Sequence, residues 1–129
     1  MAAIEYNTLS RSIIGACIDV HRELGPGLLE SVYEECLTFE LRSRGLLVDR
    51  QYELPVVYKD QVLNKTFVMD LLVNGLIIVE LKAVQTVLPI HEVQLLTYLR
   101  MARLKLGLLI NFNVELMRDG IIRKINGYL

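Results

Sequence analysis

From Thr8 to Leu24 the apolar residues Leu9, Ile13, Ile14, Cys17, Ile18 and Val20 recur mostly three and four apart, the stripe of an amphipathic helix. Gly25-Pro26-Gly27 ends it. A second helix is predicted from about Leu29 to Arg44, with Val32, Tyr33, Cys36, Leu37 and Leu41 inside, Glu34, Glu35, Arg42 and Arg44 outside, and Gly45 as its stop. At Leu46 the period changes: Val48, Tyr52, Leu54, Val56 and Tyr58 fall on even positions, as in a half-buried strand, and Lys59-Asp60 reads as the turn that follows.

Thr66 to Val73 and Leu76 to Ala83, rich in Val, Ile and Leu, flank Asn74-Gly75, a strong hairpin signal. Ile90 to Arg103 returns to helical spacing, with Ile90, Val93, Leu96 or Thr97, and Met101 on one side. Leu106 to Phe112 is an apolar strand, and Val114 to Met117 with Ile121 to Ile125, around Asp119-Gly120, predict a closing hairpin. The order α-α-β-β-β-α-β plus a C-terminal β-hairpin predicts an α/β (α+β) fold. Its mixed central sheet, flanked by helices, is mostly antiparallel with one parallel crossover.

The chain has 129 residues, the size of one domain, and its 53% hydrophobic content is ample for one core. With 14 Lys+Arg against 15 Asp+Glu the formal net charge is -1, so any phosphate-binding surface must be local. Cys17 and Cys36 lie in apolar-periodic segments and are expected to be reduced core residues. The opening MAAIEYNTLSRS has no apolar h-region, and no apolar run approaches the ~18 residues that span a bilayer. A soluble, cytoplasmic protein with no membrane segment is expected.

Three charges interrupt the apolar central strands: Asp70 in FVMDLLV, and Glu80 and Lys82 in LIIVELKAV. Isolated charges in such strands are costly unless something pairs with them. Glu80 and Lys82, two apart, share a face of their strand. Whether Asp70 joins them depends on register, because a slip of one residue moves it to the opposite face. A two-residue loop at Asn74-Gly75 would set Asp70 against Val79 and separate the carboxylates. A three-residue loop Val73-Asn74-Gly75, with Gly75 left-handed, pairs Leu72 with Leu76 and gathers Asp70, Glu80 and Lys82 on one face.

Two carboxylates on adjacent strands, a backbone carbonyl and water make an oxygen-rich shell suited to Mg²⁺ or Mn²⁺. Lys82 beside such an ion could orient or help deprotonate a water, or stabilise phosphate charge in the transition state. The plainer alternative is an Asp-Lys or Glu-Lys ion pair that neutralises itself. His91, Gln94 and Tyr98 lie three and four apart and share a helix face that would border the site, or else form an ordinary solvated face. Glu30, near the start of the second helix, suits the helix dipole on its own account and becomes a third acid if that helix points at the hairpin. No zinc spacing and no P-loop occurs.

The motif Gly27-Leu28-Leu29-Glu30-Ser31-Val32-Tyr33, its surrounding IIGACIDVHRELGPGLLESVYEECL, the DLLV and IIVELKAV strands, HEVQLLTYLR and LKLGLLINFN together resemble, in order and over nearly the whole chain, the GxxExxY proteins. That small bacterial and archaeal group is assigned to the PD-(D/E)XK nuclease superfamily. The resemblance implies a restriction-endonuclease-like core in which Asp70 is the metal-binding acid of the second motif and Glu80 and Lys82 the E-x-K of the third. Glu30 is similar to the acid on the first core helix, a further metal ligand. Gln94 and Tyr98 resemble the Q-x-x-x-Y helix that borders site and DNA in the RecB-like branch, and His91 and Tyr33 are counted with them as substrate-binding residues. Val68 departs from the pattern, since relatives commonly carry a basic residue there.

Three functions follow as expectations. The first is an Mg²⁺- or Mn²⁺-dependent nuclease on DNA, with Asp70, Glu80 and Lys82 catalytic. The second is a catalytically silent binding or assembly module that keeps the nuclease fold, with a homodimer among its expected forms. The third is a metal-dependent phosphoesterase acting on RNA or nucleotides, which the modest basic content suits.

Overall fold

In the computed structural model, which describes residues 3–129, helices α1 (Ala3–Leu24) and α2 (Glu30–Ser43) precede three strands, β1 (Val48–Tyr58), β2 (Gln61–Val73) and β3 (Ile77–Lys82). Helix α3 (Pro89–Ala102) leads to β4 (Leu106–Asn111) and, after a short 3-10 turn (Met117–Gly120), to β5 (Ile121–Ile125). The five strands form one sheet in the order β1-β2-β3-β4-β5. β3 and β4 are parallel, joined by α3, and the other neighbours are antiparallel. Three helices and a mixed five-stranded sheet are the α+β, restriction-endonuclease-like arrangement that the order of elements predicts.

Each element follows from local chemistry. Tyr6, Leu9, Ile13, Ala16, Cys17 and Val20 give α1 its buried stripe, and Tyr33, Leu37 and Leu41, four apart, give α2 its own. At the end of α2 the Gly45 N–H donates to Arg42 O at 3.0 Å and the Leu46 N–H to Leu41 O at 3.2 Å, a paired closure that stops the helix where expected. Lys59 and Asp60 are both left-handed, as a two-residue hairpin loop requires, so β2 starts at Gln61 rather than Thr66.

Two apolar clusters cover the sheet. The larger packs α1 and α2 on Leu71, Val73, Ile77, Val79, Leu81, Leu106, Leu108 and Ile110. The smaller sets Leu95 and Leu99 of α3 on Met69, Leu72, Ile78 and Leu109. α3 therefore buries a different side from the one its spacing suggested, for Ile90, Val93 and Met101 are exposed. Apolar residues stand on more than one side of the helix, so periodicity alone does not choose a face. Leu95 settles it by occupying the space above Gly107, where a Cβ would lie 2.7 Å from its Cδ1.

The closing hairpin needs correction. Val114–Met117 is not a strand; it is loop running into the 3-10 turn, and β5 pairs with β4 itself. The turn packs so tightly that a Cβ on Gly120 would fall 2.0 Å from the Asn111 carbonyl oxygen, which leaves no room for a pairing strand. Both cysteines are free, but only Cys17 is fully buried, its thiol pushed up to about 12 by burial, while Cys36 is half-buried at the edge of the large cluster. Among the described residues no helix is long and apolar enough to cross a membrane.

Candidate functional site

The β2-β3 hairpin pairs Val73 with Ile77, Leu72 with Ile78 and Leu71 with Val79. Its loop is thus three residues long, as a shared face for the charges demands, but it is Asn74-Gly75-Leu76 rather than Val73-Asn74-Gly75. Both Asn74 and Gly75 are left-handed, at φ 52 and 65, and the Leu76 N–H donates to Val73 O at 3.0 Å. Asn74 tolerates this conformation better than most residues, and it also braces the start of β1. Its N–H donates to Leu47 O and its Oδ1 accepts from the Leu47 N–H, each at 2.8 Å.

Extending this register by one step sets Asp70 opposite Glu80, and there the ladder opens. The Asp70 N–H donates to Glu80 Oε2 at 2.7 Å, and the Leu81 N–H donates to Asp70 Oδ2 at 2.8 Å. Each carboxylate therefore replaces a backbone carbonyl on the facing strand, which satisfies the amides and pins both acids.

Glu80 is buried, and its carboxyl is pushed up to about 8 first by that burial and then by the facing Asp70. Asp70 is half-buried and likewise raised by desolvation, with the Leu81 N–H bond opposing. Lys82, at the end of β3 on the same face, lowers both electrostatically. Among the described residues it forms no ion pair within 4.0 Å, so the self-neutralising pair is not what the strands contain.

Lys82 sits beside Asn111 in the parallel register, and the Phe112 N–H donates to Lys82 O at 2.9 Å. Asn111 is buried and clamps the chain leaving β3: its Nδ2 donates to Val84 O at 2.9 Å and its Oδ1 accepts from the Val84 N–H at 3.1 Å. The end of β3 is therefore rigid where the lysine leaves it.

Glu30, in the first turn of α2, reaches the same strand end. Its carboxyl is raised by desolvation and then by Asp70, against the opposing effects of Lys82 and a hydrogen bond from the Ala83 amide. Tyr33 explains how. Expected to bind substrate, it is instead fully buried, stacked on Phe112 with ring centroids 4.5 Å apart. Its hydroxyl donates to Gly25 O at 2.6 Å and accepts from the Leu28 N–H at 3.2 Å. Tyr33 ties down the Gly-Pro-Gly turn and so aims the α2 N-terminus, and Glu30 with it.

On α3 the structure separates the three polar residues. Tyr98 is half-buried against Phe67, and its hydroxyl is raised by desolvation, then by Glu80 and Asp70, which puts it beside the acids. His91 serves its own helix, its Nδ1 accepting the Leu88 N–H at 3.0 Å. Gln94 is exposed.

Across residues 7–124 the sequence matches the family model of the PD-(D/E)XK nuclease superfamily. The chain belongs to that superfamily. No curated protein and no solved structure matches it. Nucleases of the PD-(D/E)XK superfamily generally use divalent metal ions, and the acids here fit one chemically. Asp70 and Glu80 are hard oxygen donors on neighbouring strands, fixed by backbone amides and repelling each other in a desolvated setting, which a divalent cation would relieve. Among the described residues no three Asp, Glu, His or Cys side chains gather to hold an ion. Glu30 therefore stands within electrostatic reach of the pair rather than closing a three-acid cluster with it.

Sequence reasoning on this PD-(D/E)XK chain missed Asn111, Glu34 and Gln51. The Gln51 Nε2 donates to Glu34 Oε1 at 2.6 Å, and its side chain acts to lower the Asp70 carboxyl. Asn111 carried a signal, a polar residue closing the otherwise apolar run LGLLIN. Glu34 and Gln51 carried none, because each reads as an ordinary surface position.

Proposed function

We propose that the chain is a divalent-metal-dependent nuclease that hydrolyses phosphodiester bonds in DNA. One observation carries this reading: two carboxylates, Asp70 and Glu80, face each other where β2 and β3 part, with Lys82 on the same face and, among the described residues, in no ion pair. Asp70 and Glu80 would hold Mg²⁺ or Mn²⁺, which supplies Lewis-acid polarisation of the phosphate and an acidified water. Lys82 would orient that water and stabilise the charge that develops on the phosphoryl oxygens. Glu30, hydrogen-bonded by the Ala83 amide, would anchor a water at the edge of the site. Tyr98 lies close enough to the acids to position the scissile phosphate, and Gln94, one turn earlier and exposed, to meet the nucleic acid beyond it.

The test is calorimetric titration of Mg²⁺ and Mn²⁺, followed by cleavage of single- and double-stranded DNA and RNA by the same samples. Asp70→Ala is expected to lose both metal binding and cutting. Lys82→Ala is expected to keep the metal and lose on the order of 10²- to 10³-fold in cleavage rate. A wild-type protein that binds neither ion would sink the reading and favour the silent assembly module. Cutting confined to RNA would move the substrate and keep the chemistry.

A further inference from the structure

The β1-β2 ladder pairs Arg50 with Leu71 and Tyr52 with Met69, so Gln51 lies directly opposite Asp70. The backbone departs from the strand at that residue: Gln51 has φ 48, a left-handed conformation that is costly for a side chain with a Cβ. Asp70 is thus flanked on both sides by broken pairing, at Gln51 on β1 and at Glu80 on β3. The break at Glu80 is filled by the acids' own hydrogen bonds to backbone. The break at Gln51 has no such role in the sheet, and what it accomplishes is to place the side-chain amide.

That amide has two hydrogens and sits between two carboxylates. Its Nε2 donates to Glu34 Oε1 at 2.6 Å, and the same side chain lowers the carboxyl of Asp70, which lies directly opposite in the register. Glu34 is anchored in turn, since its Oε2 accepts from Arg50 Nη2 at 3.0 Å, and Arg50 reaches Glu35 at 2.8 Å. Arg50 and Gln51 of β1 thus hold Glu34 of α2 on the side of β1 that faces Asp70 of β2.

We propose that Gln51 is the positioning residue of the metal site: its side-chain amide bridges the Asp70 carboxylate to the anchored Glu34 and so fixes the orientation in which Asp70 meets a divalent cation. The inference rests on the metal reading of Asp70 and Glu80. A neutral double donor is the residue type the place requires, because it holds two like charges apart while satisfying both. Partners of this kind behind a ligating carboxylate are generally worth 10- to 100-fold in metal affinity.

Gln51→Gly separates the amide from the backbone, for glycine accepts the left-handed conformation without strain. Gln51→Glu keeps the length and removes the donors. Mn²⁺ would be titrated by calorimetry into the wild type and both variants, alongside thermal melting and the electron paramagnetic resonance spectrum of the bound ion, which reports the symmetry of its ligands. The expected result is a fall in affinity of about tenfold in both variants with a changed spectrum, and a melting temperature of Gln51→Gly close to the wild type's. Wild-type affinity and spectrum in Gln51→Gly would overturn the role of Gln51 and leave the metal site standing. A loss of affinity that only follows a large drop in melting temperature would overturn it too, assigning Gln51 to the fold. A wild type that binds no Mn²⁺ would overturn the metal reading and this inference with it.

Discussion

The two halves of β2 are built from similar residues and live in different surroundings. Val62 and Leu63, near its start, are 72% and 44% exposed, whereas Leu71, Leu72 and Val73, at its end, are buried. The difference lies in the neighbours. β3 pairs with Leu71 to Val73 alone, so the earlier part of β2 pairs only with β1 and forms a two-stranded ribbon. Strand propensity makes both halves strands; burial is decided by the width of sheet beside them. Asp70 stands at the junction, where one side of the chain is already inside the sheet and the other is still open. An acid there can be held rigidly by backbone and yet be approached from solvent.

The comparison is broken most directly by removing volume at the buried end. Leu71→Ala is expected to cost about 4 kcal/mol in urea unfolding, because the side chain is fully enclosed between the sheet and the α1-α2 layer. A loss under about 1 kcal/mol would mean that the end of β2 is no better packed than its start.

The second effect is electrostatic and belongs only to the buried end. The Glu80 carboxyl has an ordinary value of 4.5 and is pushed up to about 8 in the fold, by burial first and the facing Asp70 second. Between those values the folded protein keeps a proton that the unfolded chain has released. Stability of the metal-free protein should therefore fall as pH rises from about 5 to about 8, and this group contributes no slope below or above that window. Glu80→Gln is expected to flatten the profile and, at about pH 8 with chelator present, to be more stable than the wild type by about 2 kcal/mol. Urea unfolding across that range checks it. A wild-type profile that rises with pH would contradict the sign.

The same contrast explains what the sequence made legible. Asp70, Glu80 and Lys82 stood out because a charge in an apolar strand is costly, and Asn74-Gly75 announced a turn because few other pairs accept two left-handed residues. The loop lies one residue later than the sequence suggests, since its length and not its position is what brings the charges together. The buried face of α3 is not legible, because apolar residues stand on more than one side of the helix, and the fit of Leu95 over Gly107 is a tertiary fact. The helical spacing of Tyr33 points to the core, where the side chain lies, and only its count among the substrate-binding residues is overturned. Gln51 left no trace at all: its meaning lies in a backbone conformation and in two carboxylates brought from α2 and β2.

The smallest effect is expected at the exposed end. Val62→Thr changes one methyl for a hydroxyl in the ribbon, keeps a β-branched side chain for the strand, and lies where no third strand pairs with β2. Stability should move by less than about 0.5 kcal/mol in urea unfolding, and Mn²⁺ affinity should not move, since Val62 stands outside the Asp70, Glu80 and Gln51 network. The measurement sharpens the comparison because it turns exposure into a prediction about solution. A cost above about 1 kcal/mol that grows with protein concentration would show that a second copy covers the ribbon, for only an intermolecular contact makes a surface valine's contribution depend on concentration. The contrast between the halves of β2 would then belong to the isolated chain, and Asp70 would lie at the base of an interface.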